Sequence, residues 1–461
     1  MHVSAGGGVT EIGSSDAVAR SSGYVILLAV IAAISGFLFG FDTAVINGVL
    51  FFLRKQFALT NLQTEIAASS LLLGCLLGAA TASLLSDRYG RKKSLLFAAL
   101  LFATSALGSA AANTVNVFSL ARLAGGLAIG IASALTPVYI AEIAPSKNRG
   151  TLVSLNQLAI VVGILCAYLV NWQLSKLGES SWRWMLALAA LPSVGFFLGL
   201  LVIPESPRWL IGRGRKEEGT RVLARIFGDS VANEQVAAVE KAAASEEGSW
   251  AEMLSPGMKK RLGVAIALAL FSQVTGINTV LYYGSIIISE HFSGQTAGTA
   301  LAANVIIGGV NLIFTLVAML FLDRWGRRTI LMTASGGMAL ALSALVISLR
   351  LSSIPPMVVL LTIMTYTAFF AFGMGPGVWL YMSEIFPTKV RGRAASLATS
   401  ALWAGTLVVT FTFLSLVKIL GVGGTFAVYA ALSFACFLYI WKFVPETRGR
   451  TLEQIQERWS E

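Results

Sequence analysis

Asp42 and Arg122 are ionisable side chains set inside apolar stretches, in Gly40-Phe41-Asp42-Thr43 and Leu120-Ala121-Arg122-Leu123. A charge at the centre of a bilayer costs about 2.5–3.5 kcal/mol or more unless it finds a partner. The two are therefore expected to pair. A purely structural ion pair is one reading. The other is a proton switch, in which ionised Asp42 holds Arg122 and protonated Asp42 frees it, shifting the balance between two conformations.

Neutral polar residues form a second set. Gln157 follows Asn156, Gln273 and Asn278 bracket Ser272-Gln273-Val274-Thr275-Gly276-Ile277-Asn278, and Tyr282-Tyr283 come just after. Asn311 lies in a further apolar run, Trp379 follows Gly375-Pro376-Gly377, and Trp403 lies beyond. Amides donate and accept without charge, and aromatic faces pack on C–H surfaces, so the set suits an uncharged, hydroxyl-rich ligand. Glue between helices is the alternative for any single member. As a set spread over several runs, they are expected to line a cavity. Gly375-Pro376-Gly377 is expected to break or soften its helix, as happens where helices line midplane sites, although a packing kink would read the same way.

A third pattern is duplicated. Tyr139-x-x-Glu142-x-x-Pro145-x-Lys147-x-Arg149-Gly150 returns 242 residues later as Tyr381-x-x-Glu384-x-x-Pro387-x-Lys389-x-Arg391-Gly392. Asp87-Arg88-Tyr89-Gly90-Arg91-Lys92 returns as Asp323-Arg324-Trp325-Gly326-Arg327-Arg328, and Pro204-Glu205 as Pro445-Glu446. A long apolar chain of two similar halves is the signature of a transporter with repeat-related bundles. Glu142, Glu205, Glu384 and Glu446 stand beside Arg88, Arg91, Arg149, Arg324, Arg327 and Arg391. These are expected to form inter-helix latches that hold the inner side closed.

The elements that must position these residues follow from composition. The 461 residues are 56% hydrophobic and 12% charged, and mean hydropathy is +0.75. A soluble domain carries about 25% charged residues, so lipid is the main solvent. Twelve apolar spans are predicted at about 24–52, 64–86, 94–112, 116–142, 151–173, 183–203, 261–290, 297–322, 328–348, 355–385, 394–418 and 423–444. None alternates as a barrel strand would, so the class is an all-α membrane protein.

The net charge of +11 does not point to nucleic acid, because the basic residues cluster between apolar runs. Placing both termini in the cytoplasm puts 26 Lys and Arg inside and six outside, which decides the expected orientation. Residues 23–203 and 261–444 are read as two six-helix bundles, with 204–260 a cytoplasmic helical linker and 445–461 a cytoplasmic segment. In the linker, helices are expected at 216–227 and 233–245, with Glu217 and Glu218 facing Arg221 and Arg225. Residues 1–22 are Gly/Ser-rich and read as a disordered tail, not a signal peptide. Cys75, Cys166 and Cys436 lie in apolar runs as small hydrophobes. No metal spacing, nucleotide loop or nucleophile–base set appears, so neither an enzyme nor a cofactor is expected.

Together these motifs resemble the sugar porter family of the major facilitator superfamily over about residues 24–455. The Asp-Arg-x-Gly-Arg motifs indicate the superfamily. Pro204-Glu205-Ser206-Pro207-Arg208-Trp209-Leu210, Pro445-Glu446-Thr447-Arg448-Gly449, Gln157, Gln273, Gly276 and Asn278 narrow it to sugar porters. The resemblance implies that Gln157, Gln273, Asn278, Asn311 and Trp379 contact a sugar and that Tyr282 and Tyr283 belong to an outer gate. It also implies that Asp42 with Arg122 couples a proton, since facilitative glucose carriers typically have asparagine at the Asp42 position. The chain departs from the pattern at Ser272, Leu402 and Ala371, where amides or a glutamate are usual. A less polar second half suits a pentose, a deoxy sugar or a cyclic polyol such as inositol. The expectation is a twelve-helix carrier, a functional monomer in the cell membrane, that imports a neutral monosaccharide with a proton. A uniporter, a drug–proton antiporter and a non-transporting sensor are the rivals.

Overall fold

The computed structural model describes the backbone over residues 12–145, 149–229, 255–291, 297–351, 355–386 and 390–446, with short pieces between 232 and 240. Among the described residues every regular element is helical. In lipid a helix satisfies its own backbone, which is why these apolar runs fold no other way. The first half comprises α1 (Ile12–Gln56), α2 (Asn61–Tyr89), α3 (Arg91–Ala110), α4 (Val115–Ile143), α5 (Arg149–Leu174), α6 (Ser181–Ala187) and α7 (Ala190–Val202). Short helices α8 (Pro207–Gly212) and α9 (Lys216–Phe227) follow. The second half comprises α10 (Pro256–Val274), α11 (Ile277–His291), α12 (Ala297–Trp325), α13 (Arg327–Arg350), α14 (Pro356–Phe369), α15 (Gly375–Ile385) and α16 (Arg391–Phe443).

Eleven of the described helical segments are long and apolar enough to cross a membrane. The last, Arg393–Phe443, is two helices, because Gly421 at φ 71° and ψ 167° breaks it. The twelve expected crossings are thus accounted for in two six-helix bundles. Leu191, Leu320, Leu340 and Trp441 are exposed on the outside, as lipid-facing side chains are. Helix α1 reaches back to Ile12, into the stretch read as a tail, and residues 1–11 lie outside the described residues.

Two ends can be told apart. Gly90, Glu142 and Glu205 meet at the end carrying the duplicated basic motifs, called the basic end. At the opposite end Lys55 pairs with Glu179 at 2.6 Å, and Arg183 donates to Ala110 O at 2.7 Å.

Glycines set the closest helix contacts. Gly74-x-x-x-Gly78 on α2 faces Gly126-x-x-x-Gly130 on α4 so tightly that a Cβ on Gly126 would overlap the Leu71 carbonyl. Without a hydrophobic drive between helices in lipid, this backbone approach is a main source of association. Gly36 and Gly40 on α1 play the same part against Asn156 and Ile160 on α5. These contacts pair α4, which carries Arg122, with α2, and α1, which carries Asp42, with α5, which carries Gln157.

Two spans of the second half are interrupted, one of them unexpectedly. Span 7, predicted as continuous over 261–290, is broken between α10 and α11 at Thr275-Gly276, where Gly276 takes φ 92°. The break is held open by aromatics: Tyr366 O–H donates to Thr275 O at 2.9 Å, and the Tyr429 ring fills the space a Cβ on Gly276 would need. Span 10 softens as expected, through a π turn at Phe370–Met374, with Pro376 in the first turn of α15. Such turns recur at functional sites.

In the linker, α9 matches the predicted 216–227, whereas most of 233–245 lies outside the described residues. Glu218 bonds Arg215 at 2.7 and 2.6 Å in place of Arg221 or Arg225. Arg225 instead lies over the Tyr24 ring, 4.6 Å from its centroid.

Candidate functional site

Asp42 and Arg122 meet as expected. Arg122 Nη1 donates to Asp42 Oδ1 at 2.7 Å, and Nη2 donates to the Asp42 carbonyl at 2.6 Å. Both residues are buried, Asp42 at 4% and Arg122 at 1% exposure. Arg122 Nε has no hydrogen-bond partner. Gly125, less than a turn beyond Arg122, leaves room for the Ser105 side chain, whose Oγ a Cβ there would overlap, with Asp42 Oδ2 beside it at 3.4 Å. From the second half, Tyr282 lies near enough to feel both charges.

The amides of the second half form one chain. Asn278 Nδ2 donates to Gln273 Oε1 at 2.6 Å, and Thr406 Oγ1 donates to the same oxygen at 3.0 Å. Gln273 Nε2 donates to Ser272 Oγ at 2.8 Å. Thr406 has one hydroxyl proton, shared between Gln273 Oε1 and the Leu402 carbonyl at 2.9 Å, so Asn278 is the firm donor to Gln273, whose amide keeps one free N–H. The break at Gly276 makes this possible, since it lets Asn278 turn back toward Gln273. Ser272, where the resemblance calls for an amide, acts as the acceptor that fixes Gln273.

The remaining candidates stand apart from this chain. Gln157 on α5, Asn311 on α12 and Trp379 on α15 make no hydrogen bond among the described residues. Gln157 and Trp379 are partly exposed. Phe39 of the first half packs on Trp403 of the second, with ring centroids 5.4 Å apart, and Trp403 Nε1 is a buried donor without a partner. Tyr282 and Tyr283 are both buried. Tyr283 O–H donates to Thr410 O at 2.9 Å, and its ring stacks on Phe413 at 5.1 Å.

At the basic end inter-helix ion pairs form, and each joins helices of one half. Arg91 at the start of α3 bonds Glu142 at the end of α4 through Nε at 3.1 Å and Nη2 at 3.0 Å. Glu205 Oε1 accepts from the backbone N–H of Arg91 and of Lys92, at 2.9 and 3.1 Å. The second half repeats this. Arg327 bonds Glu384 at 3.2 and 2.9 Å, and Glu446 accepts from the N–H of Arg327 and Arg328 at 2.8 and 3.1 Å. Glu205 and Glu446 thus each cap a helix N-terminus that has no cap of its own, where orphan N–H groups and the helix dipole favour an anion. Gly90 and Gly326, at φ 93° and 90°, leave the space the two carboxylates fill. The reason is reach: each Pro-Glu loop returns to its own bundle. Burial pushes the Glu205 carboxyl above the usual carboxylate range, against the pull of the Ser206, Lys92 and Arg91 N–H groups. Arg88 and Arg324 are exposed, with no ion pair among the described residues. The side chains of Arg149 and Arg391 lie outside them.

Sequence reasoning missed the groups that do cross between the halves, all toward the opposite end. Asn47 Nδ2 on α1 donates to Leu281 O on α11 at 2.9 Å, and Asn47 Oδ1 accepts from Ser285 N–H at 3.1 Å. Tyr168 O–H donates to Leu281 O at 3.3 Å. Glu65 on α2 accepts from Ser415 on α16. Asn47 lies only five residues beyond Asp42, and Glu65 near a helix start, so only their cross-half partners mark them.

The family model described as "Sugar (and other) transporter" matches residues 28–459. The arabinose-proton symporter of Bacillus subtilis (strain 168) is 38% identical over 447 residues, covering 95% of this chain and 96% of that protein. The D-xylose-proton symporter of Escherichia coli (strain K12) is 35% identical over 477 residues, covering 95% and 96%. Among solved structures, the partially occluded inward open conformation of the xylose transporter XylE from E. coli matches with a TM-score of 0.83 at 33% identity, over 93% of this chain and 100% of that one.

Proposed function

The chain belongs to the sugar transporter family of the major facilitator superfamily, and on that premise we propose that it imports a neutral monosaccharide by proton symport with alternating access. It is a multi-pass membrane transporter and not an enzyme. The observation that carries the symport reading is the buried Asp42–Arg122 bond at 2.7 Å. Protonating Asp42 removes the negative charge that faces the buried guanidinium, whose Nε already lacks a partner. An uncompensated buried charge is costly, so Arg122 must shift or find water. Protonation and helix position are thereby coupled, which is what a symporter needs.

Rocking of residues 23–203 against 261–444 exposes the site to one side and then the other. The basic end faces the cytoplasm, because Lys and Arg gather there. Gln273 meets the sugar as a donor, through the amide N–H that its bond to Ser272 leaves free. Gln157, Asn311 and Trp379 supply the facing contacts, and Tyr282 and Tyr283 close above them. Relatives named for arabinose and xylose, together with the amide missing at Ser272, favour an aldopentose over a hexose.

One observation favours a second reading. Arg122 also bonds the Asp42 carbonyl at 2.6 Å, a contact independent of ionisation, as a purely structural pair in a uniporter would have. Uptake by purified protein in liposomes, with a panel of labelled pentoses, hexoses and inositol and with or without an inward proton gradient, separates the two. Accumulation above equilibrium that collapses with a protonophore supports symport and names the sugar. Equal filling regardless of the gradient makes it a uniporter.

A further inference from the structure

Glu65 is a buried carboxylate, 1% exposed, and no cation is bonded to it among the described residues. Its two oxygens cross from the first half to the second. Oε1 accepts the backbone N–H of Ser415 at 2.7 Å, and Oε2 accepts the Ser415 hydroxyl at 2.9 Å. Ser415 lies in the helical part of α16 before Gly421, so the carboxylate reaches a main-chain donor of that helix as well as a side chain. A carboxylate buried without a cation is expensive to keep unless it serves a state of the protein.

We propose that Glu65 is the clasp of the gate at the opposite end: it holds α2 to α16 only when that end is shut, and so biases the carrier toward the conformation open at the basic end. The proposal rests on the alternating-access reading above. The bond joins helices of different halves, so it exists in one conformation and is lost when the halves separate there. An interaction made in only one of two states shifts their ratio by its full strength. Charge-assisted bonds to two donors on one residue make that shift about tenfold. Neither the Asp42–Arg122 pair nor the amide chain touches Glu65, so the clasp can be removed without dismantling either.

The test is hydrogen exchange of the full-length protein, read by mass spectrometry, for wild type, Glu65→Ala, Glu65→Gln and Ser415→Ala. In Glu65→Ala, exchange rises about tenfold in peptides spanning 61–70 and 411–420 and falls in the basic-end peptides around 88–93 and 324–330. Local loosening alone would raise the first without lowering the second, and that result overturns the proposal, as does exchange unchanged at both ends. Ser415→Ala, which keeps the N–H, shifts both ends in the same directions by less. Glu65→Gln, which keeps one acceptor, lies between. If Glu65→Ala does not fold, these two variants decide: reciprocal shifts sustain the clasp and their absence ends it. Wild type with and without saturating xylose or arabinose is run alongside. If ligand produces no reciprocal change between the ends in wild type, the alternating-access reading fails. If wild type responds and no variant shifts the ends, only the clasp fails.

Discussion

Asn47 holds Ser285 at two points across the two halves: it accepts the Ser285 N–H on Oδ1 at 3.1 Å and the Ser285 hydroxyl on its own carbonyl at 2.6 Å. Its Nδ2 meanwhile donates to Leu281 O. Leu281 O and Ser285 N–H are the two groups that α11 would otherwise bond to each other. A side chain from the first half has therefore entered the backbone ladder of the second.

Asn47→Ala lets that ladder close again, so the fold loses little. A drop of about 1 kcal/mol is expected in detergent-solubilised protein, followed by thermal unfolding. A loss near 3 kcal/mol would mean that α11 cannot bond to itself and that Asn47 is part of the helix's own support.

Asp42→Asn keeps the shape of the side chain and removes its titration. Uptake should still equilibrate the sugar but should no longer concentrate it against a proton gradient. Concentrative uptake that survives in liposomes would remove Asp42 from the coupling.

Gln157→Ala and Gln273→Ala should each weaken sugar binding with membrane insertion unchanged. Losing one net hydrogen bond of about 1 kcal/mol corresponds to roughly a fivefold rise in Kd. Calorimetric titration with the transported sugar reads this directly, and wild-type affinity in either variant takes that residue out of the site.

Arg91→Ala should lower stability and not change which end is open, because its bonds to Glu142 lie within one half. The cost of leaving Glu142 without this partner is about 1–3 kcal/mol. Thermal unfolding shows it. A shift in end-to-end exchange with stability unchanged would restore a role between the halves.

Glu205 gives a pH signature. Burial raises its carboxyl in the folded protein, so its contribution to stability is full below the ordinary carboxylate pKa and is lost as pH rises through the raised value. Glu205→Gln removes that slope. The difference in thermal midpoint between wild type and variant should change as pH rises above the ordinary carboxylate pKa of about 4 and level off once the raised value is passed. A difference constant across that range contradicts the assigned direction.

Parts of this site were legible in residue types alone. Asp42 and Arg122 had to find each other because neither tolerates lipid, and their positions in apolar runs required nothing further. The softening of span 10 was legible in Gly375-Pro376-Gly377, although the π turn falls just before it, at Phe370–Met374. The break at Gly276 was hidden, because its cause is the Tyr429 ring and the Tyr366 hydroxyl, which come from other helices. The duplicated Gly90 and Gly326 were visible, but the carboxylates they make room for arrive from loops more than a hundred residues away.

The sequence by itself determined the class, the twelve crossings and the buried ion pair. Hydropathy acts over about 20 residues, and the cost of a bare charge in lipid depends only on where the charge stands. Only the tertiary structure decided what crosses between the halves. Asn47 meets Leu281 across 234 positions and Glu65 meets Ser415 across 350. No local pattern encodes such pairs, since each depends on how two rigid bundles lie against each other in one conformation.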